Sequence, residues 1–186
     1  MPPVNRREAL QLTTGIVGAA MVSSTLLAAC GGESPPAAGG AATLTADDRR
    51  LMEEIADALL PTTPSSPGAK AAGAGEGMAL LLLDCYDAAA QRRMADGLAA
   101  FRSLCTDRCG GDFTKLSPTE RERLLVEIDA EAVRAGDGHW FHLMRELALR
   151  AYFSSEIGMT KALRYVRVPG RWTGCVPLEP GQPAWG

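Results

Sequence analysis

Beyond Thr45, apolar residues recur three and four positions apart, the spacing of one face of an α-helix. Thr45 is placed to cap a first helix that carries Leu51, Met52, Ile55, Ala56 and Leu59. Asp47 and Asp48 fall in its first turn, where carboxylates suit the helix dipole. Pro61 stops it. The segment Pro61 to Gly68 (PTTPSSPG) reads as a rigid loop, because its three prolines can neither continue a helix nor fill a central strand. A second helix is expected from about Glu76 to Tyr86, and its stretch Met78 to Leu83 is apolar nearly all round, which predicts burial on most sides. Asp87 caps a third helix with Met94, Leu98, Phe101 and Leu104 on one face, ended by Gly110-Gly111. Ser117-Pro118-Thr119-Glu120 combines a cap, a proline in the first turn and a glutamate positioned for a capping box. The fourth helix that follows carries Leu124, Leu125, Ile128 and Ala132 and breaks at Gly136-Asp137-Gly138. A fifth holds Trp140, Leu143, Met144, Leu147, Ala148 and Ala151, and a shorter sixth is expected around Thr160 to Tyr165. No strand alternation or internal repeat is evident.

The pattern predicts an all-α fold, a single domain of five or six helices over residues 44–186, with an irregular Pro/Gly-rich C-terminal tail. After Val168 come Pro169, Gly170, Gly174, Pro177, Pro180, Gly181 and Pro183, with Trp172 and Trp185 among them. Each indole can bury on the order of 200 Å², enough to pin the tail to its own domain or to a partner.

The first 43 residues follow a different pattern. Arg6-Arg7-Glu8-Ala9-Leu10 precedes a mild apolar stretch from Leu12 to Ala29 that is interrupted by Gly, Ser and Thr. A charged start, an apolar middle and a small-residue end predict a signal peptide over residues 1–29. The adjacent arginines resemble a twin-arginine (Tat) signal, with Asn5 and Ala9 departing from its usual neighbours. The stretch is long enough to span a bilayer, but its Gly, Ser and Thr residues weaken that reading. It ends in Leu27-Ala28-Ala29-Cys30, which resembles a lipobox and predicts a lipidated Cys30 as the mature N-terminus, with plain cleavage near the same site as the alternative. Residues 30–43 then read as this anchor and a Gly/Pro/Ala tether that holds a folded domain near the periplasmic side of a membrane.

Composition narrows the classes further. An apolar fraction of 46% is too high for a disordered chain. A net charge of -3 with no dense Lys/Arg run argues against nucleic-acid binding. There is no G-x-G-x-x-G, no P-loop, no C-x-x-C-H and no G-x-S-x-G. His139 and His142 lie three apart with Glu146 four further on, a spacing that could ligate a metal; the plainer reading is a helix N-terminus beside Trp140-Phe141. Asp129, Glu131, Glu53 and Glu54 are assigned to solvated helix faces.

Besides Cys30, four cysteines remain: Cys85, Cys105, Cys109 and Cys175. Export permits disulfides, and four cysteines allow three pairings. Cys105 and Cys109, about 6 Å apart on a helix, are the preferred pair; Cys175 is available to another chain, and some of the four are equally read as small buried hydrophobes. Lys161, Arg164, Arg167 and Arg171, interleaved with Tyr165 and Trp172, form either a solvated face or a docking strip.

Several stretches together resemble the small third subunit of bacterial membrane-bound gluconate 2-dehydrogenase. They are the Arg6-Arg7 leader, Ile55 to Thr63 (IADALLPTT) with Pro67-Gly68-Ala69, Tyr152 to Gly158 (YFSSEIG), Ala162 to Tyr165 (ALRY) and Val168 to Pro177 (VPGRWTGCVP). The resemblance implies a non-catalytic subunit without a cofactor of its own. Its partner would be an FAD-containing dehydrogenase of the glucose–methanol–choline type, often accompanied by a cytochrome subunit carrying haem c. The partner would oxidise a sugar or other alcohol, and the small subunit would assist its folding, Tat export and anchoring. Tyr152, Glu156, Arg164, Tyr165, Arg171, Trp172 and Cys175 are the residues assigned to docking on this basis. The lipobox departs from the family pattern, and an independent envelope lipoprotein with a scaffold or binding role is the alternative.

Overall fold

Backbone N–H groups at a helix start need acceptors from outside the helix, and four of the five α-helices here find one in a side chain. The computed structural model describes residues 44–185 other than 171 and 173. Helix α1 spans Ala46–Leu59 and opens on a capping box. The Asp48 N–H donates to Thr45 Oγ1 at 3.1 Å, and the Thr45 N–H donates to the Asp48 carboxylate at 2.9 Å. Helix α2 spans Ala74–Cys85 and is entered through Gly73 in the left-handed region. Helix α3 spans Ala88–Cys109, capped by Asp87 at 2.8 Å and ended by left-handed Gly110. A 3₁₀ turn at Phe113–Lys115 leads to α4, Pro118–Ala135, which starts on the Ser117/Glu120 capping box. Helix α5, Trp140–Phe153, is capped by His139. A π-helical turn, Gly158–Ala162, closes the helical part. No strand occurs among the described residues, apart from an isolated parallel bridge between Arg164 and Trp185.

Helix α5 contacts each of the other four α-helices, which makes it the centre of the domain. It buries Phe141, Leu143, Met144, Leu147, Ala148, Ala151 and Tyr152. Around it Met52 and Ile55 of α1, Met78 and Leu82 of α2, and Met94 and Leu98 of α3 are fully buried. Met52, Met78, Met94 and Met144 are fully buried among these helices, and their unbranched side chains adapt to irregular gaps in a core. Gly97 lets Trp140 lie directly on α3; a Cβ at that position would overlap the indole. Gln91, buried at the start of α3, donates its amide N–H groups to the carbonyls of Leu82, Leu83 and Tyr86 at 3.0 to 3.3 Å. It thereby satisfies acceptors that the end of α2 leaves open.

Four expectations from the sequence change. Helix α2 starts two residues earlier than expected and ends at Cys85, with Tyr86 as its C-cap. It is not buried all round: Leu80 is 63% exposed and Leu83 is also at the surface, because the neighbours cover only the Met78, Ala79 and Leu82 side. The sixth helix is the π-helical turn at Gly158–Ala162, and the chain is already extended at Leu163, so Tyr165 lies outside it.

The fourth change concerns Glu54, which is buried rather than solvated. Its carboxylate accepts from Lys70 Nζ in the loop before α2 and from Arg121 Nη1 of α4 at 2.9 Å. Arg121 also donates to the carbonyls of Thr114 and of Leu116, and its guanidinium lies 5.2 Å from the centre of the Phe113 ring. Burial raises the Glu54 pKa, but hydrogen bonds from Lys70 and Arg121 and their two charges outweigh it and hold the group below the ordinary carboxylate value. Asp48 behaves in the same way: burial is overcome by hydrogen bonds from Thr45 and by Arg102, whose Nη2 lies 2.7 Å from the carboxylate.

Two outcomes follow from this packing. Gly97→Ala, which helix propensity alone would favour by about 1 kcal/mol, is expected to destabilise the domain by about 1–3 kcal/mol in thermal or urea denaturation, because the Trp140 ring must move. Because the folded pKa of Glu54 is lowered, its contribution is complete above the unfolded-state value of about 4.3 and is lost as pH falls through the lower folded value. Glu54→Gln should therefore reduce the melting temperature at neutral pH and flatten the decline of melting temperature between about pH 5 and about pH 3, as followed by circular dichroism.

Candidate partner-binding surface

The last hydrophobic residue to pack against the core, among the described residues, is Ala162. Beyond it the chain leaves the helical body yet carries Tyr165, Val166, Val168, Trp172, Val176, Leu178 and Trp185, all exposed. Trp172 is 91% exposed and Leu178 81%. Burying these groups would remove a large apolar area from water, and the domain's own core does not do so. Of the two fates open to the tail indoles, packing on the helical body is therefore not adopted by Trp172.

The segment nonetheless has internal order. The Arg164 N–H donates to the Ala184 carbonyl at 2.7 Å, and the Arg164 guanidinium lies over the Trp185 ring at 4.2 Å. A cation at this distance is attracted by the negative face of the indole. Between these ends Val166, Pro169, Trp172, Val176, Pro177 and Gln182 line a cleft of about 500 Å³. Arg164 lines the cleft as well, Lys161 and Arg167 are exposed, and Glu179 is the sole carboxylate side chain from residue 161 to the end of the sequence.

The residues assigned to docking from the sequence separate into two groups. Arg164, Tyr165, Trp172 and Cys175 share this C-terminal segment and are exposed. Glu156 is exposed at the turn after α5. Arg171 lies outside the described residues, as do Arg6, Arg7 and Cys30. Tyr152 is buried inside the domain. Its hydroxyl donates to the Pro67 carbonyl at 2.7 Å and shares a hydrogen bond with Ser66 Oγ at 2.7 Å. Tyr152 thus joins the YFSSEIG stretch to the PTTPSSPG loop, two segments far apart in sequence.

The same stretch is held by short-range contacts. Ser155 Oγ donates to the Tyr152 carbonyl at 2.6 Å and accepts from the Gly158 N–H at 3.0 Å. Gly158 is required there, because a Cβ would collide with the Tyr152 carbonyl oxygen. Sequence reading did not find the role of Trp185 as the partner of Arg164. The signal was its aromatic type alone, since the two lie more than twenty residues apart with no periodic link.

The other candidate groups have local occupations. His139 Nδ1 accepts from the Phe141 N–H at 3.3 Å as the α5 cap, in line with the plainer reading of that pair. His142 Nε2 donates to the Ala132 carbonyl at 3.0 Å. Glu146 accepts from Tyr86 and pairs with Arg150. Among the described residues no group of three His, Cys, Asp or Glu side chains is placed to hold a metal ion. Asp129 is half-buried and pairs with Arg145 at 2.6 Å, while Glu131 is exposed.

Cys85, Cys105, Cys109 and Cys175 are free thiols in the structure. Cys105 and Cys109 sit one turn apart at the end of α3. Cys105 is buried, and burial, with Cys109 and Asp112 nearby, pushes its thiol up to about 11. It lines a cleft of about 520 Å³ whose walls include Arg50 of α1, Arg102 of α3 and Lys115 of the 3₁₀ turn. A thiol with that pKa is a poor nucleophile at neutral pH. No described helix is long and apolar enough to cross a membrane.

Residues 46–170 match the family model for gluconate 2-dehydrogenase subunit 3. The match covers most of the helical domain, and the chain belongs to that family. No curated protein and no solved structure matches it. The matched region takes in the whole helical core and the Tyr152–Pro67 junction, and it ends just before Trp172.

If Tyr152 serves the fold, Tyr152→Phe should cost about 1 kcal/mol in denaturant unfolding, from loss of the Pro67 and Ser66 hydrogen bonds. Tyr165→Phe, at an exposed position, should leave stability unchanged in the same titration.

Proposed function

We propose that this chain is the non-catalytic small subunit of a membrane-associated, flavin-dependent dehydrogenase that oxidises a sugar or other alcohol. The observation that carries this reading is the family match over residues 46–170. The exposed apolar and basic segment after Ala162 supports it, since a subunit needs a face that its own core leaves uncovered.

In this reading the partner carries FAD, and a cytochrome subunit with haem c accepts the electrons. The small subunit stabilises the flavoprotein while it is still in the cytoplasm. Arg6 and Arg7 then direct the folded pair to the Tat pathway, which moves folded cargo. Lipidation of Cys30 holds the complex at the periplasmic side of the envelope, with acyl chains supplying the attachment. Docking uses Glu156, Arg164, Tyr165, Arg171, Trp172 and Cys175. Tyr152 contributes from within, by fixing the turn from which this segment departs.

The test is genetic and biochemical. In a strain lacking this chain, flavin-dependent alcohol or sugar dehydrogenase activity in the membrane fraction should fall at least about tenfold, the scale of losing an assembly partner. Replacing both Arg6 and Arg7 by Lys should leave the flavoprotein in the cytoplasm, and Cys30→Ala should release the activity in soluble form. Unchanged membrane activity in the deletion strain would contradict the reading.

A further inference from the structure

We propose that Arg164 and Trp185 form a clasp that holds the intervening C-terminal segment as a preformed loop, and that this loop seats Trp172 in an apolar pocket rimmed by carboxylates on the dehydrogenase subunit. The inference rests on the accessory-subunit reading and adds the chemistry of the contact.

Three observations lead to it. First, the ends of the segment are tied to each other rather than to the helical core: the Arg164 N–H bonds Ala184, the guanidinium covers Trp185, and Ala162 is the last described hydrophobic residue on the core. A closed loop loses less conformational freedom on binding than an open tail, so more of its contact energy appears as affinity. Second, the outward groups are the ones that dominate interface energetics. Trp172, Val168 and Leu178 are the most exposed large hydrophobics of the described chain, and Trp is among the residue types most enriched at interface hot spots.

Third, charge identifies the opposing face. The whole sequence is net acidic at -3, yet Lys161 just before the loop and Arg167 within it are both exposed, and Glu179 is the sole carboxylate side chain from residue 161 onward. A surface of this sign is complementary to a carboxylate-rimmed face and repels a basic one. In this arrangement Trp172 makes the contact, and Arg164 and Trp185 are positioning residues acting through it.

The test uses the full-length protein and the flavoprotein subunit recovered from native membranes, with affinity measured by biolayer interferometry at low and high sodium chloride. Wild-type binding should weaken at least about tenfold with salt. Trp172→Ala should weaken it at least about tenfold at both salt levels. Trp185→Ala should do the same with helical circular dichroism and melting temperature unchanged, whereas Trp185→Phe, which keeps a ring under the guanidinium, should stay within about twofold of wild type. The double variant Trp172→Ala/Trp185→Ala should be no weaker than Trp172→Ala alone, because the clasp acts only through that indole.

Strictly additive losses would overturn the clasp, and salt-independent binding would overturn the carboxylate rim. Wild-type binding that survives Trp172→Ala would overturn the docking assignment while leaving the accessory-subunit reading intact. Failure of the wild type to bind the flavoprotein at all would overturn both. Binding of the wild type to phosphatidylglycerol vesicles, abolished by Trp172→Ala, would instead assign the loop to the membrane surface and refute the proposal.

Discussion

An ionised carboxylate turned toward a protein interior must find cations or forfeit several kcal/mol. Glu54 is that group here, and meeting its requirement organises three separated parts of the chain. Lys70 brings in the loop that follows α1, and Arg121 brings in α4. Arg121 spends its remaining donors on the Thr114 and Leu116 carbonyls and so fixes the 3₁₀ turn. Asp48 repeats the device at the other end of α1 by pairing with Arg102 of α3. The ion pairs join α1 to the Lys70 loop, to α3 and to α4, and burial around α5 supplies most of the stabilisation.

Local signals were legible where a single helix end decides the outcome. Thr45, Asp87 and Ser117 cap the helices at the positions their residue types and followers indicate, and the Gly110 and Gly136 stops fall where expected. The relations across space were not legible. Nothing adjacent to Glu54 distinguishes it from Glu53, because the cations that draw it inward lie sixteen and sixty-seven residues away. The apolar run of α2 suggested all-round burial, but burial depends on how many neighbours surround a helix, and among the described residues the Leu80 and Leu83 face of α2 is left exposed. The π-helical turn follows from Gly158 and the Ser155 bonds, which have no period to detect.

The division between body and loop also separates two kinds of sequence signal. The Tyr152 to Gly158 stretch, which lies inside the matched region, is a structural joint: its tyrosine reaches the Pro67 loop and its glycine permits a close backbone approach. Arg164, Tyr165, Arg167 and Trp172, which follow, face outward. A structural joint and an exposed apolar segment are therefore adjacent in this chain without being the same residues. The rigid helical body gives the loop a fixed point of departure, and the Arg164–Trp185 contact gives it a closed form.

The claim that joins these parts is that the domain is built to hold a flavoprotein. The most direct measurement is a mild-detergent capture of tagged protein from native membranes, with the absorbance spectrum and subunit masses of the eluate. The account predicts a visible flavin band and a large co-eluting chain in fixed ratio to this one. A colourless eluate containing this chain alone as a monomer, with no larger species after prior cross-linking in the intact membrane, would contradict it.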